Sequence, residues 1–308
     1  MSMDPWKDLS ASLVKLHDTY YMQHGKMVNR TTMYISESPA AEECAREPYA
    51  GAWSPTPNLA AVTSLFLPVA GALDHLLAMA TLLTGPPSMY APFTVARSVL
   101  EISVQTWYLL EPGIGAEERA LRSVNVRLRS LWEQSQLVGV DESPEWRAQL
   151  DHVQRRMDEI VAAARARNIS ARGRGDGRRS PWVGSGPKST VKLADECLGS
   201  AVPGLGSTFW RSLSSVAHGQ AHGLVQAFRP AVDGSTPEGG GGPLGQLSLS
   251  ARQAALYAAG APLACMAMLN RLYAYLGWDE TELQSAAQVL LTTWTRVGQL
   301  PRVGPATY

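Results

Sequence analysis

Residues 210–223 read WRSLSSVAHGQAHG and gather an arginine and two histidines into one short stretch. His218 and His222 stand four positions apart, which on a helix places both on one face and suits metal ligation or paired proton transfer. Arg211 precedes His218 by seven positions, about two turns, and so returns to nearly the same face. A guanidinium that keeps its charge beside an imidazole that titrates near neutrality can handle a phosphate: the first stabilises charge and the second moves a proton. Arg211, His218 and His222 are therefore the candidate catalytic residues. Gly219 and Gly223 each follow a histidine and thin the helix surface, so that backbone or ligand can approach closely.

A second group lies upstream. Between Pro48 and Leu110 the only charged residues are Asp74, Arg97 and Glu101, with His75 beside the first. Their surroundings are apolar or small, so some of them are expected to be buried, and buried charges must be paired and hydrogen-bonded. Arg97 and Glu101, four apart, can pair with each other or with Asp74 or His75 on a neighbouring helix. Two outcomes stay open: a core ion-pair network that fixes helix register, or a polar ligand pocket lined by Asp74, His75, Arg97 and Glu101. Two histidines with a carboxylate (His218, His222 and Glu101) would suit a divalent ion. However, HxxxH here lacks the glutamate of HExxH and no ExxH accompanies it, so no metal or other cofactor is predicted and a divalent metal is kept only as an alternative.

The third group is basic. Residues 165–192 hold six arginines and two lysines against one acid, Asp176. Arg172, Arg174, Arg178, Arg179 and Lys188 are candidate phosphate contacts within this Gly-rich segment, whose plain alternative is a solvated linker. Its tail, GSGPKST at 184–190, lacks the Gly-x4-Gly-Lys spacing and a preceding strand, which excludes a Walker motif. There is no GxSxG, GxGxxG, paired-cysteine or DDxxD motif either.

The elements that must position these groups are helical. Apolar residues at three and four spacing (Trp6, Leu9, Leu13, Leu16, Tyr20) predict a first amphipathic helix. Long apolar helices follow over 59–84, capped by Asn58 and kinked at Pro68, and over 91–110. A more polar pair covers 116–138 and 143–168, a short helix 191–198, and then comes the Arg211/His218 helix. Ser250 caps a helix reaching Leu276, and Asp279 caps a last one to about 297. The fold class is all-α: a bundle of seven to nine helices with two long loops, one Gly/Arg-rich over 170–190 and one Gly/Pro-rich over 230–249. One domain spans 1–308, with an N-terminal helical arm over 1–57 and the bundle core over 58–229 and 250–298.

With 308 residues, 18% of them charged, the chain has the length and composition for a sizeable buried core. Lys plus Arg equals Asp plus Glu at 27 each, so no global field draws in nucleic acid or an anionic membrane; such binding requires a local patch. Three scattered cysteines form neither a disulfide framework nor a zinc site. The first residues lack a secretory pattern, Pro68 and Asp74-His75 interrupt 59–83, and 254–269 is too short to span a bilayer. A cytoplasmic protein without a membrane partner is expected.

Arg211-x6-His218 on a helix after an apolar bundle resembles the HEPN superfamily, whose members carry an arginine, four to six residues and a histidine. ARSVLEISVQTWYLLEP, around Arg97 and Glu101, together with WRSLSSVAHG is similar to a group of bacterial helical proteins related to that superfamily. The resemblance covers about 59–110 and 208–276. It implies a metal-independent ribonuclease or an RNA-binding protein, with His218 handling the proton in 2′-hydroxyl attack, Arg211 stabilising the phosphorane, and the site formed across a homodimer. Ser212 departs from the polar Asn, Asp or His that often follows the arginine, and His222 is not part of the pattern. RNA or a phosphorylated small molecule is the expected partner. Two alternatives stand beside this reading: a small-molecule enzyme with a polar pocket inside the bundle, and a non-catalytic ligand-binding or interaction module.

Overall fold

Short side chains that accept backbone N–H groups start many of the helices. In the computed structural model, which describes residues 4–85, 88–137, 143–173, 180–199, 202–226 and 249–299, Asp4 caps α1 (Pro5–Val28) and Ser38 caps α2 (Pro39–Arg46). Helices α3 (Pro57–Ser64), α4 (Phe66–Thr84), α5 (Ala91–Leu109) and α6 (Gly115–Gln136) follow, and Ser143 caps α7 (Pro144–Arg165). A two-residue antiparallel ladder joins β1 (Ala171–Arg172) to β2 (Trp182–Val183), with Ala171 opposite Val183. Ser189 caps α8 (Thr190–Leu198), and α9 (Leu205–Ala217) and α10 (Ala221–Gln226) come next. Ser250 and Gln253 form a capping box on α11 (Ala251–Ala258), followed by α12 (Gly260–Leu276) and α13 (Thr281–Gly298).

The all-α class holds, but the helical segments outnumber the seven to nine expected. One, α2, lies where none was anticipated, and three expected helices each divide in two. Pro68 has no N–H for the Ser64 carbonyl and Pro262 none for Ala258, so the chain breaks at Leu65 and at Ala259. The third break, at Gly219, falls inside the candidate site. Asn58 is not the cap it was expected to be. It lies within α3, and the Glu47 carboxylate takes the cap's place by accepting the N–H groups of Asn58 (2.8 Å) and Leu59 (3.0 Å).

The main core forms where α5 lies between α4 and α12, with α1 packed on α4 and α13. Leu9, Leu13, Leu16 and Tyr20 are fully buried, so α1 is integral to the core. A second cluster surrounds Met157: Trp53, Val124, Leu128, Val153, Ile160 and Ala164, closed by Val183 of β2. Asn125 holds that strand by accepting the Val183 N–H and donating to its carbonyl, both at 2.8 Å. The run Pro57–Thr84 has the length and apolar composition to cross a membrane. Within the fold, α4 buries Val69, Ala72, Leu73, Leu76, Met79, Ala80 and Leu83.

Helix α5 has no basic residue in its own last turn, and three arginines from elsewhere cap its C-terminus. Arg271 of α12 donates to the Trp107 carbonyl (2.9 Å), Arg122 of α6 to that of Tyr108 (2.8 Å), and Arg119 of α6 to those of Leu109 and Glu111. Arg119 also grips Glu43 of α2 through two N–H groups, at 2.7 and 3.2 Å, and lies 4.2 Å over the Tyr275 ring. The Tyr275 hydroxyl donates to the same carboxylate at 3.0 Å. This buried, fully partnered cluster joins α2, α5, α6 and α12.

Candidate functional site

Helix α9 is held in place by close backbone contacts. A Cβ on Gly206 would stand 1.8 Å from the Ala194 carbonyl oxygen of α8, and one on Gly260 would stand 2.6 Å from Phe209 Cγ. Only glycine lets α8 and α12 approach α9 this closely. Leu213 and Val216 are buried beneath, and Trp210 turns toward α5. There the Arg97 guanidinium lies 4.3 Å from the Trp210 ring centre and donates to Glu101 at 2.7 Å. Burial pulls the Arg97 pKa below its ordinary value although Glu101 opposes the shift. The two motifs read from the sequence therefore meet, through Arg97 and Trp210.

Asp74 and His75 do not join them. Asp74 is exposed on α4, His75 is half-buried, and neither makes a hydrogen bond or ion pair among the described residues. The only ion pair seen in this group among the described residues is that of Arg97 with Glu101. Apolar flanks made Asp74 look buried, but it shares the outer face of α4 with Leu67, which is 81% exposed. Two surface depressions stand out elsewhere: one along α7, lined by Asp151, Gln154, Arg155 and Asp158, and one beside α1, lined by Lys7, Ser10, Val14 and Asp18. No candidate residue lines either.

Arg211 and His218 are both exposed, and neither has a side-chain partner among the described residues. The one-helix reading of the two histidines fails at Gly219. His218 is the C-cap of α9, Gly219 enters the left-handed region at φ 65°, and the chain reverses. The Gln220 N–H returns to the Ser215 carbonyl (2.8 Å) and the Gly219 N–H to that of Val216 (3.0 Å), which together make a Schellman closure. His222 therefore belongs to α10, where it is exposed.

Helix α10 nevertheless returns to α9. Gly223 is buried against Ser215, and a Cβ there would stand 1.9 Å from Ser215 Oγ. Ser215 follows Arg211 by four positions and precedes His218 by three, so it lies between them on the same helix face. The seat of α10 is the middle of the Arg211–His218 face. Chain reversal, rather than helical spacing, brings Gly223, the neighbour of the second histidine, onto that face.

The basic segment is described only in part. Arg174, Arg178 and Arg179 lie outside the described residues, as does the loop expected over 230–249 up to residue 248. Arg172 is exposed on β1, and β1 and β2 pack on α6 and α7, whereas α9 packs on α5, α8, α10, α11 and α12. Lys188 is bonded to Glu196 of α8 at 2.7 Å. Among the described residues no group of three or more His, Cys, Asp or Glu could hold a metal ion, so His218, His222 and Glu101 are not brought together as a ligand set. Burial pushes the Cys197 and Cys265 thiols up to about 12, which favours their protonated form.

The Glu43–Arg119–Tyr275 cluster was missed in the sequence. The one signal for it was an arginine on the apolar stripe of α6, beside Ala116 and Ala120. No family model, curated protein or solved structure matches the chain.

Proposed function

We propose that the chain is an HEPN-like helical protein that acts on RNA through Arg211 and His218, without a metal. The observation that carries this reading is the free, exposed placement of both side chains on one face of α9. His218 accepts the proton of a ribose 2′-hydroxyl as its oxygen attacks the adjacent phosphorus, and Arg211 stabilises the charge that develops on the phosphorane. Two further parts of the reading come from the resemblance: the working unit is a homodimer, and RNA reaches the face as an exposed strand. Arg172 supplies a separate cationic contact on the β1 side.

Incubation of the purified chain with single-stranded and structured RNA in EDTA tests the proposal. Cleavage that leaves 2′,3′-cyclic phosphate ends is expected, with a drop of roughly 10²-fold or more in His218→Ala and Arg211→Ala. If no cleavage occurs, binding that Arg211→Ala weakens would support the binding form of the reading. Absence of both, or cleavage that neither variant changes, would sink it.

A further inference from the structure

We infer that His222 is the second proton-transfer residue of this site, the group that protonates the leaving 5′-oxygen. The inference rests on the reading of Arg211 and His218 given above. Residues 205–226 contain no carboxylate, lysine, tyrosine or cysteine, and their only ionisable side chains are Arg211, His218 and His222. A guanidinium does not give up its proton near neutrality, so among the side chains of these residues only the two imidazoles can move protons.

The backbone explains how the second one arrives. The Schellman closure turns the chain back at Gly219, and α10 is pinned through Gly223 against Ser215, between Arg211 and His218. His222 immediately precedes that contact and is exposed. Any side chain at position 223 would collide with Ser215 and lift α10 from the face, so the Gly223–Ser215 contact positions His222.

The step balances without a co-reactant. Neutral His218 takes the 2′-hydroxyl proton, the 2′-oxygen forms a bond to phosphorus, the bond from phosphorus to the 5′-oxygen breaks, and protonated His222 gives its proton to that oxygen. The products are a 2′,3′-cyclic phosphate and a 5′-hydroxyl. Each imidazole ends in the state the other began in, and exchange with water resets both. Two histidines in opposite protonation states divide the work of base and acid.

The test compares two substrates whose leaving groups differ. A uridylyl-(3′→5′)-adenosine dinucleotide expels a poor alkoxide and needs an acid; uridine 3′-(4-nitrophenyl phosphate) expels a stable phenolate and does not. His222→Ala is expected to slow the dinucleotide by about 10²-fold or more while leaving the nitrophenyl ester within a few-fold of wild type, whereas His218→Ala slows both. Gly223→Ala, with its fold checked by circular dichroism, should follow the His222→Ala pattern. Equal losses on the two substrates in His222→Ala, or no loss on the dinucleotide, overturn the role of His222 while the Arg211–His218 reading stands. If the wild-type chain turns over neither substrate, the role of His222 falls together with the cleavage form of the Arg211–His218 reading, and only RNA binding weakened by Arg211→Ala would keep the binding form.

Discussion

At the scale of single residues, burial separates structural charges from those available for chemistry. Glu43 and Arg119 are only 8% and 4% exposed, and every direction of the guanidinium is occupied by a carboxylate, a carbonyl or the Tyr275 ring. Removal of one partner would strand the other in a low-dielectric interior. Glu43→Ala is accordingly expected to cost about 3–5 kcal/mol in chemical denaturation, whereas Glu42→Ala, which breaks the solvent-exposed Glu42–Arg46 pair on the same helix, should cost no more than about 0.5 kcal/mol. Equal costs would mean that burial is not what distinguishes the two pairs. The sequence pointed to the wrong buried charge for a physical reason. Asp74 stands in the most apolar run of the chain, but local apolarity does not say which helix face it occupies, and its face is the outer one. Glu43 and Arg119 lie in polar-looking segments whose burial depends on α12 and α5 closing over them from far along the chain. Arg97 and Glu101 were legible because their four-residue spacing carries the pairing within a single helix.

Helices were readable where the signal was local and were misread where continuity was assumed. The caps at Ser250 and the periodicity of α1, α6 and α7 need only neighbouring residues. The pairing of His218 with His222 required an unbroken helix, yet a glycine directly after a histidine near a helix end is itself a stop signal, and Gly219 acts as one. Glycines also mark the places where helices meet backbone to backbone, and this gives a paired prediction. Gly206→Ala would drive a methyl group into the Ala194 carbonyl and is expected to lose about 1–3 kcal/mol as α8 and α9 are forced apart. Gly71, inside α4, has open space where a methyl group would stand, with nothing within 4 Å, so Gly71→Ala should gain about 0.5–1 kcal/mol from helix propensity. Thermal melts of the two variants read the contrast. A destabilising Gly71→Ala would show that this stripe of α4 is not open to a methyl group.

Across the whole molecule, two packed regions carry the two groups of phosphate candidates. Arg211, His218 and His222 ride on helices of the main core, while Arg172 rides on the small ladder that closes the Met157 cluster. The regions are bolted together where Arg119 and Arg122 of α6 cap the end of α5. The buried apolar residues of the two regions form separate clusters, so the α6–α7 unit is expected to open with α4, α5 and α12 still folded. Met157→Ala removes the centre of the smaller cluster, with an expected cost of about 2–5 kcal/mol to that unit. Hydrogen exchange should then accelerate through α6, α7 and β2 while amides of α4 and α12 keep their protection. Leu76→Ala, in the main core, should accelerate exchange throughout. On the proposed reading the same variant separates the two electrostatic contributions: Met157→Ala should weaken RNA affinity through displacement of Arg172 but preserve the rate of cleavage at saturating RNA, because the proposed proton-transfer residues remain on α9 and α10. Uniform loss of protection in Met157→Ala would show one cooperative core instead, and loss of the saturated rate would show that the site draws on the smaller region as well.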